Sequence, residues 1–192
     1  AERYELCTKR LADALGQERS QLYSLYHSKG IYEHQRAATD DKRVVNLTRS
    51  SYAGQQRYGT MVWNGDTHAS WDAFKQMIPA GLNFMSTGCP YWTVDVGAFF
   101  VKKGWSWFHI GDYDKGVEDL GYRELYVRML QYATFVPMMR SHGTDTPREP
   151  WRFGGEDSPF YQTILDYIHL RYSLLPYTYS LAGDVTFNGG TM

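Results

Sequence analysis

The sequence predicts an α/β fold with parallel strands, roughly half of a (β/α)8 TIM barrel, and three observations lead there. Short β-branched runs alternate with helical patterns over short connections, about four strands and four or five helices, which favours crossover helices between parallel strands. The chain has 192 residues, whereas a complete (β/α)8 barrel takes roughly 250. Polar side chains that can do chemistry recur at or just past strand ends: Arg49, Asp66, Asp95, Arg140 and His142. In such folds the C-terminal ends of the strands face the ligand.

Taken in order, residues 2–15 place Tyr4, Leu11, Ala14 and Leu15 among charges, a surface helix. Gly16 and the polar run after it break that helix, and Ser20 caps a second one running to about Ala38. Val44 to Thr48 is a short buried strand, Gly54 to Gly59 a polar loop, and Met61 to Trp63 the next strand. Ser70 caps a helix whose Trp71, Phe74, Met77 and Ile78 share a face and which Pro79-Ala80-Gly81 ends. Leu82 to Met85 and Tyr91 to Val96 are strand-like, and Gly97 to Lys115 is an aromatic, irregular stretch suited to forming a site. Glu118 to Tyr132 is a helix, Phe135 to Met139 a buried strand, and Ser158 to about Leu181 one long helix.

Composition narrows the function. Net charge is -1 without any basic run, which argues against a nucleic-acid surface. No apolar stretch approaches the roughly 20 residues of a membrane helix. Tyr, Trp and Phe make up 16% of residues; they serve either as core packing or as flat surfaces for the apolar faces of sugar rings. Cys7 and Cys89 have no metal-ligand spacing. HxH and HExxH patterns, a Gly-rich phosphate loop and a GxSxG elbow are all missing from the sequence, so neither metal nor cofactor is expected. Ala1 opens inside a helical pattern without an initiating Met, and Phe187 to Met192 closes without a terminating element. We therefore expect a piece of a longer polypeptide, whose compartment the sequence leaves unassigned. Asn46-Leu47-Thr48 is a formal glycosylation sequon, accidental if it lies in a buried strand.

Each candidate has a plain alternative. Asn64-Gly65-Asp66 is also ordinary turn chemistry, Asp95 could be a buried acid paired with an arginine, and His142 could anchor a loop. Together, carboxylates beside Trp63, an arginine and a histidine suggest glycoside hydrolysis. There one acid protonates the leaving oxygen and a second acts as nucleophile or base.

Three motifs then carry a resemblance: NLTRSSYAGQQRYGTMVWNGD (Asn46 to Asp66), GCPYWTVDVGAFF (Gly88 to Phe100) and MMRSHGTDTPREPWRFG (Met138 to Gly154). In this order they resemble the catalytic barrel of glycoside hydrolase family 31, a family of retaining α-glucosidases and α-xylosidases. RAATDDKRVV, YRELYVRMLQYATF and LRYSLLPYTYSLA are similar to it as well, so the likeness runs from about Leu22 onward. The resemblance implies that Asp66 is the general acid/base and that Trp63 lines the sugar subsite beside it. It implies that Arg49 and His142 bind sugar hydroxyls, and that Asp95 and Phe99 shape the subsite floor. Ala98 departs from the pattern, standing where glycine or cysteine is usual. No motif matching the family's nucleophile precedes Leu22. The expectation is thus a second half-barrel (21–192), truncated at both ends, behind a helical insertion or barrel-peripheral segment (1–20). It would carry the acid/base without the nucleophile, be inactive alone and tend to self-associate through open strand edges. The expected activity is exo-acting release of terminal α-linked xylosyl or glucosyl residues from an oligosaccharide. The TPREPW loop favours xylose; the alternatives are an α-glucosidase or a non-catalytic carbohydrate-binding relative.

Overall fold

A computed structural model describes residues 2–104, 107 and 109–192, with side chains from residue 8 onward. The side chains of Tyr4 and Cys7, and Trp105, Ser106 and Phe108 of the aromatic stretch, lie outside what is described. The chain forms two compact units, Ala1–Val62 and Trp63–Met192.

The first unit holds α1 (Glu2–Leu15), α2 (Tyr23–Ala38), β1 (Asn46–Thr48) and most of β2 (Thr60–Trp63). β1 and β2 are parallel, with Asn46 opposite Thr60 and Thr48 opposite Val62. Ser20 does not cap α2; it sits in a 3-10 turn, Gln17–Leu22, and its hydroxyl donates to the Gln17 carbonyl (2.8 Å). The expected loop at 54–59 winds as another 3-10 turn, Gln55–Tyr58. The run expected as a buried strand, 44–48, is only partly covered: Val44 is buried, but Val45 is 59% exposed and Leu47 37%. Asn46 of the sequon turns its amide inward to the Tyr58 carbonyl (3.0 Å).

The second unit is built from α3 (Trp71–Ser86), β3 (Trp92–Thr93), α4 (Leu120–Ala133), α5 (Pro159–Ser173) and α6 (Leu175–Asn188). Its core gathers Val94, Val96, Ala98 and Val101 against Tyr122, Leu125, Tyr126 and Met129 of α4, Phe153, and Ile164 of α5. Parallel bridges join His68 to Phe100 and Val96 to Ser141.

Three expected elements change. Ser70 caps α3 as expected, accepting from the Ala73 N–H (3.1 Å), yet the helix runs through Pro79 to Ser86 and absorbs the strand expected at 82–85. Gly81 explains the continuation. It is buried, and a Cβ there would stand 2.7 Å from Trp92 Nε1 and 2.8 Å from the Tyr132 hydroxyl. Phe84 then packs on Trp92, ring centroids 5.0 Å apart. Tertiary packing overrides the proline's lost hydrogen bond.

The segment at 135–139 is irregular, with Phe135 67% exposed and Pro137 unable to donate to a ladder. It runs beside β3 all the same: Thr93 Oγ1 donates to the Met138 carbonyl (2.7 Å) and Val96 N–H to that of Arg140 (3.2 Å). Arg171 of α5 donates to the carbonyls of Thr134 (2.9 Å), Val136 (2.7 Å) and Pro137 (2.7 Å), satisfying what a strand would have paired. The long terminal helix divides at Leu174 because Pro176 lacks the N–H that would continue α5.

Candidate active site

β2 ends on Trp63, and Asn64-Gly65 turns the chain so that Asp66 emerges exposed. The turn needs Gly65, whose φ is +83°. After the turn, the Thr67 carbonyl accepts from the N–H groups of Phe99 (2.9 Å) and Phe100 (3.0 Å), and Ala69 N–H donates to the Phe100 carbonyl (2.8 Å). Phe99 in turn accepts from Thr144 N–H (2.9 Å). The loops carrying Asp66, Phe99 and His142 are thus stitched through one residue's backbone.

Below them lies a charged floor. Asp95, with no exposed surface, pairs with Arg140, and the Arg140 guanidinium stands 5.7 Å from the Trp63 ring centroid. A cation at that distance from an indole contributes about 0.5–2 kcal/mol. Burial pushes the Asp95 carboxyl above its ordinary range; Arg140 and then His142 oppose that rise, and the charge on Asp66 adds to it. Asp95 therefore lies in the field of both the imidazole and the outer carboxylate. Its Oδ2 has no hydrogen-bond partner among the described residues, nor do Arg140 Nε, Trp63 Nε1, Asn64 Oδ1 and Thr67 Oγ1, all buried.

The wall above the floor is aromatic. The Phe99 and His142 rings lie 5.7 Å apart, Phe99 meets Phe100 edge to face at 4.8 Å, and Phe100 meets His109 at 4.1 Å. Ala98, at the root of this wall, holds φ +61° while 1% exposed. This left-handed conformation is one glycine takes without a Cβ penalty.

Of the residues singled out in sequence, Trp63, Asp66, Asp95, Phe99 and His142 belong to this one cluster. Arg49 belongs to the first unit, exposed just after β1. The loop that carries it is held by Gln55, which is 2% exposed. Gln55 Nε2 donates to Ser28 Oγ (2.9 Å) and the Ser50 carbonyl (3.2 Å), while its Oε1 accepts from Tyr52 N–H (2.8 Å). Gln55 and Arg148 went unmarked in sequence because both bond chiefly to backbone, and only the run of polar residues within each motif hinted at them.

Chemically, the cluster offers an exposed carboxylate three residues after an indole, an imidazole against an aromatic wall, and a buried ion pair whose arginine faces the indole. It suits a ring with one apolar face and several hydroxyls. Among the described residues, no three His, Cys, Asp or Glu side chains converge as metal ligands, and no helix is long and apolar enough to cross a membrane.

Residues 5–181 match the glycosyl hydrolases family 31 TIM-barrel domain. Over 167 residues the chain is 46% identical to an α-xylosidase of Saccharolobus solfataricus, covering 87% of this chain and 20% of that protein. It is 38% identical over 182 residues to α-xylosidase A of Aspergillus niger, covering 88% and 24%. Among solved structures, the family 31 α-xylosidase of Xanthomonas citri superposes with a TM-score of 0.80 at 40% identity, covering 91% of this chain and 18% of that one. The chain belongs to glycoside hydrolase family 31 and forms part of its TIM barrel. It spans about a fifth to a quarter of the curated relatives it matches.

Proposed function

We propose that the protein carrying this chain is a retaining, exo-acting α-glycosidase that releases terminal α-linked xylosyl residues, with Asp66 as its acid/base. In this role Asp66 donates a proton to the glycosidic oxygen as the bond breaks, then takes one from the water that releases the sugar. Proton transfer of this kind contributes roughly 100- to 10,000-fold. Trp63 and Phe99 offer flat faces to the sugar, and His142 binds its hydroxyls. Asp95 acts from beneath, holding Arg140 under the subsite. Retaining hydrolysis takes two carboxylates, and the second comes from residues outside these 192; Asp95, buried and paired, does not supply it. Residues 1–20 then form a peripheral helical segment, and 21–192 the second half of the barrel.

The observation that carries this reading is that an exposed acid sits on a loop stitched to an aromatic wall and its histidine over a buried ion pair. The likeness to three α-xylosidases supports xylose as the sugar. The test is turnover of p-nitrophenyl α-xyloside against p-nitrophenyl α-glucoside by the full-length protein, with NMR following the product anomer. Faster release of α-xylose is expected; faster release of α-glucose would make it an α-glucosidase. Release of the β anomer, or no release from either, would overturn the reading.

A further inference from the structure

The geometry points to Arg148 as a positioning residue that locks the Phe99 loop and the His142 loop into one sugar-binding wall. Its guanidinium reaches four backbone carbonyls on two irregular segments. Nη2 donates to Ala98 and to Phe99 (3.4 Å), and Nη1 to Thr144 (3.1 Å) and Thr146. A planar fork with five N–H donors can bridge two loops in this way; an ammonium group cannot.

Two glycines clear its path. Gly97 lies two residues before Phe99, and a Cβ there would stand 3.1 Å from Arg148 Nε and 2.7 Å from the Tyr122 hydroxyl. Gly143 directly follows His142, and a Cβ there would collide with the Arg148 guanidinium and stand 2.7 Å from the Ala98 carbonyl. α4 closes the arrangement from behind. The Tyr122 hydroxyl donates to the Gly97 carbonyl (3.1 Å), while the Tyr126 hydroxyl lies 3.0 Å from Ser141 Oγ and donates to the Arg148 carbonyl (3.2 Å).

Asp145, at φ +55°, makes a second tie between the same loops, its carboxylate accepting from the N–H groups of Val101 (3.2 Å) and Lys102 (3.3 Å). Arg148 and Asp145 thus give two loops without regular pairing a fixed spacing. That spacing sets the 5.7 Å between the Phe99 and His142 rings. With its Nη donors committed to carbonyls, Arg148 acts on a sugar only through the residues it places. For its ligand the inference rests on the glycosidase reading; for its geometry it does not.

The experiment compares the full-length protein with Arg148→Ala and Arg148→Lys, by amide exchange and by kinetics on p-nitrophenyl α-xyloside. In both variants, exchange over 97–101 and 141–146 should quicken roughly tenfold or more while α4 and α5 keep their protection. Misplacement of the wall by about 1 Å should lower kcat/KM about a hundredfold, with KM rising more than kcat falls. Millimolar guanidinium should restore part of the loss in Arg148→Ala. Unchanged exchange in those two segments, or exchange quickened evenly through α4 and α5, would overturn the inference. So would a kcat loss without a KM change. If the unaltered protein turns over no glycoside, the proposed function fails, and the exchange comparison still decides the role of Arg148.

Discussion

Asp95 places a carboxylate where no solvent reaches and sets one guanidinium against the cost of burying it. Two effects compete there: desolvation raises the carboxyl, while Arg140 and His142 lower it, and desolvation is the larger. In the unfolded chain the group returns to its ordinary value of 3.8. Between that value and the raised one the native state holds more protons than the unfolded state. Its contribution to stability is therefore complete below pH 3.8 and is lost as pH rises through the raised value. Urea unfolding of the unaltered chain and Asp95→Asn across pH 3 to 8 should show the unaltered chain losing ground to the variant as pH increases. A gap that moves in favour of the unaltered chain would mean that Arg140 outweighs burial. At this scale the sequence was partly legible. Trp63 ends β2 and Asp66 follows it on a loop that the patterns located, Phe99 came with the family resemblance, His142 was marked although the strand expected before it is irregular, and pairing of Asp95 with an arginine was one of two readings left open. Arg148, Gln55 and Arg171 escaped because their partners are chiefly backbone carbonyls and amides, which leave no side-chain pattern to read.

Elements were legible where the sequence punctuates its own ends. Ser70, Asp119 and Ser158 each accept an N–H in the first turn of the helix that follows. Ser20 aside, two errors arose where proline misled, in opposite directions. Pro79 was expected to stop α3 and does not, whereas Pro176 divides a helix expected to be continuous. The difference is what lies beyond each proline. After Pro79 come Gly81 and Phe84, which fit against Trp92 and Tyr132 of the core; α6 beyond Pro176 buries no residue. Gly81→Ala tests this balance. Helix propensity alone favours alanine by about 1 kcal/mol, but a methyl less than 3 Å from two ring systems overpacks the site, at a cost of about 1–3 kcal/mol. Sterics should win, with a net loss of stability in urea unfolding; a gain would show that α3 does not press on Trp92.

At the scale of the whole molecule, parallel strands with crossover helices were legible because alternation and short connections admit few other topologies. Strand extents were not, since a barrel strand is defined by its neighbours: of the run 44–48 only Asn46–Thr48 pairs as a strand, and 135–139 forms no regular strand. What the fold does for function is bring three loops, distant in sequence, to one backbone hub at Phe99, with Asp66 exposed beside it. The most direct measurement is hydrolysis by Asp66→Ala in the full-length protein, comparing an aryl α-xyloside with an activated leaving group against an unactivated α-xylosyl oligosaccharide. Bond cleavage in the activated substrate needs little help from an acid, so its turnover should be spared far more than that of the oligosaccharide. Equal losses on the two substrates would contradict the assignment of Asp66 as the group that protonates the leaving oxygen.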